Sequence, residues 1–276
     1  MTYFANGSDL REIANKIRAM AGSDEEMIFP TGFVAEISAI QNGADENAYV
    51  AGTLREYSNS SYTMVPGKAF YMMSCLETVD FPACTWILSE AFHGCTALKN
   101  VNFPNCSSIG ASAFARCGLE EISFPLAENI DGFDYCENLV SVSLPACTYM
   151  NGGCFAYCTK LSSISLPLCE VIGIEAFKGC EILEEVNFPA CTDIRSSAFA
   201  GDTSLSSISF PECTAIKDGA FMNCTGLSSV NFPKCTNVKQ SAFFGCGNIT
   251  TISFPSISTV GSNAFEDCGK LASAEL

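Results

Sequence analysis

An apolar residue followed by proline recurs at Phe81-Pro82, Phe103-Pro104, Phe124-Pro125, Leu144-Pro145, Leu166-Pro167, Phe188-Pro189, Phe210-Pro211, Phe232-Pro233 and Phe254-Pro255. Successive prolines stand 22, 21, 20, 22, 22, 22, 22 and 22 residues apart. A second beat, a small residue before phenylalanine, keeps step from Phe70 to Phe265 and counts ten units. A period this regular excludes an ordinary domain around one central core. Each unit buries its apolar face only against its neighbours, so the chain must stack into a solenoid.

Within one unit, Val101 and Phe103 are two residues apart and point to one side of a short strand, while Asn100 and Asn102 point to the other. Stacked copies build a parallel sheet. Proline directly after the strand lacks an N–H for the ladder and turns the chain, so each strand stays short. The return arm carries Ile109, Ala113 and Phe114 beneath the sheet. Ten strands at ~4.8 Å spacing make a sheet of roughly 45 to 50 Å.

The positions of Leu98, Val101, Phe103, Cys106 and Ile109 correspond to L-x-x-L-x-L-x-x-N/C and the apolar residue after it. With the Ala-Phe-x-x-Cys return segment, the pattern resembles the BspA-like leucine-rich repeats of bacterial surface and phage-encoded proteins, from about residue 50 to the end. It departs from their usual form in its constant length and in the proline that closes each strand. The resemblance implies an α/β-type, right-handed leucine-rich repeat solenoid with short parallel strands over residues 67–276, and a non-enzymatic binding role.

Fifteen of the 17 cysteines fall on two rows, three residues after each Phe or two after each Pro; only Cys75 and Cys154 lie off them. A repeat needs a small buried residue at a fixed place, and free cysteine behaves as one. Thiols in a line do not converge into a tetrahedral metal site, and parallel side chains fit disulfide geometry poorly. The rows are therefore read as buried, reduced packing residues, with no metal and no cofactor. His93, the single histidine, precedes Cys95 by two but has no orienting third group in the sequence, so it is read as an exposed loop residue and no catalytic residue is assigned.

Two places offer binding chemistry. The outward strand positions, among them Asn100, Asn102, Ser141, Ser143, Ser163, Ser165, Glu185, Asn187, Ser207 and Ser209, form a stripe of hydroxyl and amide groups suited to a glycan or an extended peptide. Alternatively the stripe is inert and solvated. The second place is where the period breaks: three residues are missing between Phe114 and Phe133, and Asp131, Asp134, Tyr135, Tyr149 and Tyr157 gather there, with Trp86 two units back. Irregular loops on a regular scaffold tend to carry function, and amphipathic rings suit contact surfaces. These six residues are the candidate binding set.

Residues 1–43 do not follow the repeat. Leu10, Ile13 and Ile17 form one apolar stripe, and Phe33, Ile37 and Ile40 a second, each ended by glycine, which predicts a two-helix adaptor or oligomerisation module, with 44–66 as linker and first-repeat cap. Helices this short cannot bury both stripes alone, so they require a sister chain, another protein or the solenoid. The segment is similar to the N-terminal module before such repeats in phage and prophage tail proteins of gut Gram-positive bacteria. That similarity implies a virion protein for host-surface recognition, with a bacterial surface glycan or protein, other tail proteins or sister chains as partners; the alternative is a surface adhesin, exported and extracellular. The start of the chain lacks the basic and apolar run of a secretory signal, which leads to the expectation of cytoplasmic synthesis. A net charge of -16 argues against nucleic acid, and no apolar run reaches membrane-spanning length.

Overall fold

A computed structural model describes residues 54–276. The described chain winds through ten turns, each carrying two strands. Three-residue strands run from Glu56–Ser58 to Ser273–Glu275, and two-residue strands from Met64–Val65 to Thr259–Val260. All ten two-residue strands join in one parallel sheet, whereas the three-residue strands form four separate groups. Register repeats the sequence period: Val79 pairs with Val101, and Ile87 with Ile109.

The structure differs from the sequence expectation in three features. The first strand of a unit is Asn100–Asn102, so Phe103 stands just beyond it. The return arm contains a second strand, Ser108–Ile109, which belongs to the longest sheet of the molecule. The α component is absent among the described residues: the segment around Ala113 and Phe114 is a series of turns. The reason is local. Ser112 (φ 50°) and Arg116 (φ 58°) flank Phe114 in the left-handed region, and equivalent pairs recur along the molecule. A right-handed helix cannot run through such residues. The expected two-helix module falls in residues 1–43, outside the described residues.

The core consists of two phenylalanine columns. Phe70, Phe92 and Phe114 stack at 5.0 Å between centroids with nearly parallel rings, a spacing close to that of adjacent strands. The column continues to Phe265. The column beside it, Phe81 and Phe103 onward, meets the first edge to face, as in the Phe92–Phe103 pair at 5.9 Å. Leu144 and Leu166 interrupt this second column, and the adjoining Phe133–Phe155 and Phe155–Phe177 spacings are 5.6 and 5.7 Å. Val101 is half-buried, while Ile109, Ala113 and Phe114 are buried as expected.

The thiols have a second task besides filling space. In the row after Phe, Cys95 Sγ donates to the Phe70 carbonyl at 3.1 Å and Cys117 to Phe92 at 3.1 Å. In the row after Pro, Cys106 Sγ donates to the Ser108 carbonyl at 3.3 Å. A small apolar residue with a weak donor thus adds a second hydrogen bond to a carbonyl, since Phe70 also accepts the Met73 N–H and Phe92 the Cys95 N–H. Sixteen of the 17 cysteines are buried and Cys75 is half-buried.

The missing residues are lost in loops, and each loss is absorbed at a glycine. A Cβ on Gly118 would stand 2.3 Å from the Thr96 carbonyl oxygen. Gly132, at φ +118°, lets the chain pass so close to Ala113 that a Cβ would lie 2.4 Å from its nitrogen. Strand pairing therefore continues across the gap, with Ser108 opposite Asn129 and Asn129 opposite Tyr149.

The broken repeats and the ladder face

The second residue after each Phe of the first column has positive φ, and several of the side chains placed there lean on the next turn. Met72 leans over Gly94, Tyr157 over Gly179 and Asn223 over Gly245. In the irregular region three bulky residues follow one another at this position. The Arg116 guanidinium lies 4.3 Å from the Tyr135 ring centroid, and Tyr135 stacks on Tyr157 at 4.7 Å. Both faces of the tyrosine pair are covered, by Arg116 at one end and the Gly179 backbone at the other, so the pair offers ring edges and hydroxyls. Lys178 joins this rim: Glu175, 2.8 Å away, holds its ammonium above the usual lysine range, with smaller contributions from the two phenols.

The other candidates lie elsewhere. Tyr149 sits in the ten-stranded sheet, with Arg195 from two turns on 5.3 Å from its ring. Asp193 ties that arginine at 3.4 Å and Lys217 at 3.4 Å. Trp86 lies on the same sheet, 55% exposed, three strands from Tyr149. The six candidates thus divide between a turn column and a sheet surface rather than lining one pocket. Asp131 and Asp134 accompany the tyrosine column, and burial together with the Asp134 charge pushes the Asp131 carboxyl up to about 6. His93 is half-buried rather than exposed, with its ring stacked on Tyr71 at 5.1 Å. The adaptor residues Leu10, Ile13, Ile17, Phe33, Ile37 and Ile40 lie outside the described residues.

The polar stripe is partly self-satisfied. Asn102 Nδ2 donates to Asp80 Oδ1 at 2.7 Å, and Asn187 Nδ2 to Ser165 Oγ at 2.9 Å. These bonds run within the four strand groups. Between groups the ladder is interrupted, at Asn102/Glu121, Ser143/Ser163 and Asn187/Ser207. A shallow depression of about 650 Å³ covers the last two interruptions, lined by residues including Ser141, Ser163, Ser165, Glu185, Asn187 and Ser207. A second, of about 400 Å³, covers the first. Hydroxyls, amides and strand edges together make this a hydrogen-bonding surface open to an extended ligand.

One residue escaped the sequence reading. Position 202, three after Phe199, continues the first thiol row, yet it is a fully buried aspartate. The gap in the row was the available signal. Among the described residues, no cluster of three or more His, Cys, Asp or Glu side chains could hold a metal ion, and no helix is long and apolar enough to cross a membrane.

The profile of the BspA type leucine rich repeat region, in six copies, matches residues 63–169 and 148–272. No curated protein matches the chain. Among solved structures, the chain is similar to a leucine-rich repeat protein from Bacteroides ovatus, with 24% identity over 80% of this chain and 78% of that one and a TM-score of 0.49. A leucine-rich repeat protein from Eubacterium ventriosum shares 19% identity over 81% and 73%, with a TM-score of 0.47. A leucine rich cell surface protein from Faecalibacterium prausnitzii shares 20% over 80% and 79%, with a TM-score of 0.39.

Proposed function

The chain belongs to the BspA-type leucine-rich repeat family, and from that premise we propose that it is a non-enzymatic binding scaffold of the bacterial surface, holding a glycan or an extended peptide along its three-residue strands. The observation that carries this reading is the depression over the two ladder interruptions, where Ser141, Ser163 and Ser207 are exposed. Each hydroxyl contributes little by itself, and affinity comes from many contacts repeated at strand spacing. The net charge of -16, with Glu184 and Glu185 at the depression, favours neutral or cationic ligands over phosphate-rich ones.

The surface reading takes precedence over a tail component because the family match spans the repeats, whereas the tail reading rests on residues 1–43, which the match leaves uncovered. In the tail reading the stripes of Leu10, Ile13 and Ile17 and of Phe33, Ile37 and Ile40 dock on sister chains or other tail proteins. An antibody against the chain separates the two: label in the cell-envelope fraction supports the surface protein, and label in purified virions supports the tail component.

The binding face is tested with the full chain on whole bacterial cells and an array of their surface glycans. Ser163→Arg and Ser207→Arg fill the depression and weaken binding about tenfold or more, an interface-centre effect of ~1.4 kcal/mol, while melting is unchanged. Unchanged binding in both, with loss in Tyr135→Ala and Tyr157→Ala, moves the contact to the broken repeats and overturns this assignment.

A further inference from the structure

The thiol row after phenylalanine is a chain of equivalent hydrogen bonds. Cys158 donates to the Phe133 carbonyl at 3.2 Å, Cys180 to Phe155 at 3.1 Å, Cys224 to Phe199 at 3.0 Å and Cys246 to Phe221 at 3.0 Å. The series passes over Phe177, whose carbonyl is the acceptor that residue 202 would serve. Residue 202 is an aspartate with no solvent exposure. Its Oδ1 accepts the Cys180 N–H at 2.8 Å, while its buried Oδ2 has no hydrogen-bond partner.

A carboxylate in this place leaves a charge buried without a counter-ion, leaves Oδ2 without a donor, and leaves the Phe177 carbonyl with only the Cys180 N–H at 3.0 Å, which it shares with Oδ1, and without the second donor that the thiol supplies on the other turns. A neutral carboxyl satisfies both at once, because its one O–H can donate where the other turns donate a thiol. We propose that Asp202 is carried as the neutral acid, with Oδ2–H donating to the Phe177 carbonyl, and that loss of this proton at rising pH loosens the solenoid between Cys180 and Cys224. The row thus contains one pH-sensitive joint among pH-insensitive thiol joints.

The surroundings agree with this assignment. The titratable groups that interact with Asp202 are the thiols of Cys180 on the preceding turn and Cys224 on the following one, both driven up by burial and therefore neutral. Burial likewise holds the Asp202 carboxyl well above the usual carboxylate range, outweighing the amide hydrogen bonds from Cys180 and Gly179 that oppose it. The sign follows: a group whose folded value is raised contributes stability in full below its unfolded value, near 4, and loses it progressively as pH rises toward the folded value.

The test compares the full-length wild type with Asp202→Asn, which keeps one acceptor and one donor without a proton to lose, and Asp202→Cys, which restores the row. In infrared spectra at pH 7 the wild type shows a protonated-carboxyl stretch that disappears in both variants. Between pH 4 and 8 the wild type loses melting temperature relative to both. Each unit of pKa displacement is about a factor of ten in the local opening equilibrium. Hydrogen exchange at Cys180 and Cys224, corrected for intrinsic base catalysis, is therefore about tenfold or more faster in wild type than in the variants at pH 8. Parallel pH profiles for the three proteins, or no protonated-carboxyl band at pH 7, overturn the proposal. If Asp202→Asn fails to fold, the comparison with Asp202→Cys decides.

Discussion

The ring of Tyr157 lies across Gly179, so that a Cβ on that glycine would stand 2.8 Å from the ring's Cδ1. The glycine is a seat for a side chain one turn earlier, and its own backbone is left-handed, at φ +74°. Gly201, one turn further, has the same kind of backbone at φ +84° but nothing within 4 Å of its Cβ position, because Gly179 sends no side chain toward it. Gly179→Ala should therefore cost about 2 kcal/mol or more, combining backbone strain and ring displacement, and Gly201→Ala about 1 kcal/mol. Adding Tyr157→Ala to Gly179→Ala should recover the steric part, which a double-mutant cycle by denaturant unfolding measures.

Thiol labelling should separate one cysteine from the rest. Cys75 is half-buried and the other 16 are buried. Burial pushes the Cys106 and Cys136 thiols up to about 12, which keeps them protonated and unreactive at neutral pH. A maleimide at pH 7 should add to Cys75 within minutes and to the others only with denaturant, as mass spectrometry counts directly.

Asp131→Asn should stabilise the protein in a defined pH window. The native carboxyl is pushed up to about 6 by burial and by Asp134. Its contribution is complete below the unfolded value near 4 and declines as pH rises to about 6. The variant's melting temperature should match wild type at pH 4, gain steadily to pH 6 and hold that gain above it.

Gly132→Ala should be among the costliest single substitutions, since a Cβ would stand 2.4 Å from Ala113 nitrogen on a backbone at φ +118°. A loss of about 3 kcal/mol or more is expected. Two residues inserted after Ile130 restore the full turn, and Ala at position 132 should then be tolerated, as thermal melting would report.

Exposed inter-turn ion pairs should matter little. Lys234 and Glu212 meet at 2.6 Å, but their side chains are 57% and 46% exposed. Lys234→Ala should change stability by less than about 1 kcal/mol, and that change should vanish in high salt.

Much of the architecture follows from period alone. Ten units with a period of 22 residues, shortened only between Phe114 and Phe133, leave no way to bury the apolar positions except against the equivalent positions of neighbouring turns. That logic located the phenylalanine column, the thiol rows and the polar outward stripe. The front-end stripes at residues 1–43 are equally legible as patterns and lie outside the described residues.

What only the tertiary structure decided is how each unit spends its backbone. The Ser108–Ile109 strand is too short to show alternation, so its place in the ten-stranded sheet depends on neighbours it meets a full turn away. Left-handed residues such as Arg116, Tyr135 and Tyr157 bear no mark of that conformation in their side chains; the turn imposes it, and with it the stack that turns two candidate rings inward on each other. Tyr149 and Trp86 look close in the repeat alphabet but share a different sheet surface, because strand spacing and side-chain direction, rather than sequence distance, set which residues meet. Asp202 differs from its row by identity alone; its full burial, its Oδ1 on the Cys180 N–H and its partnerless Oδ2 arise only when the turns are stacked.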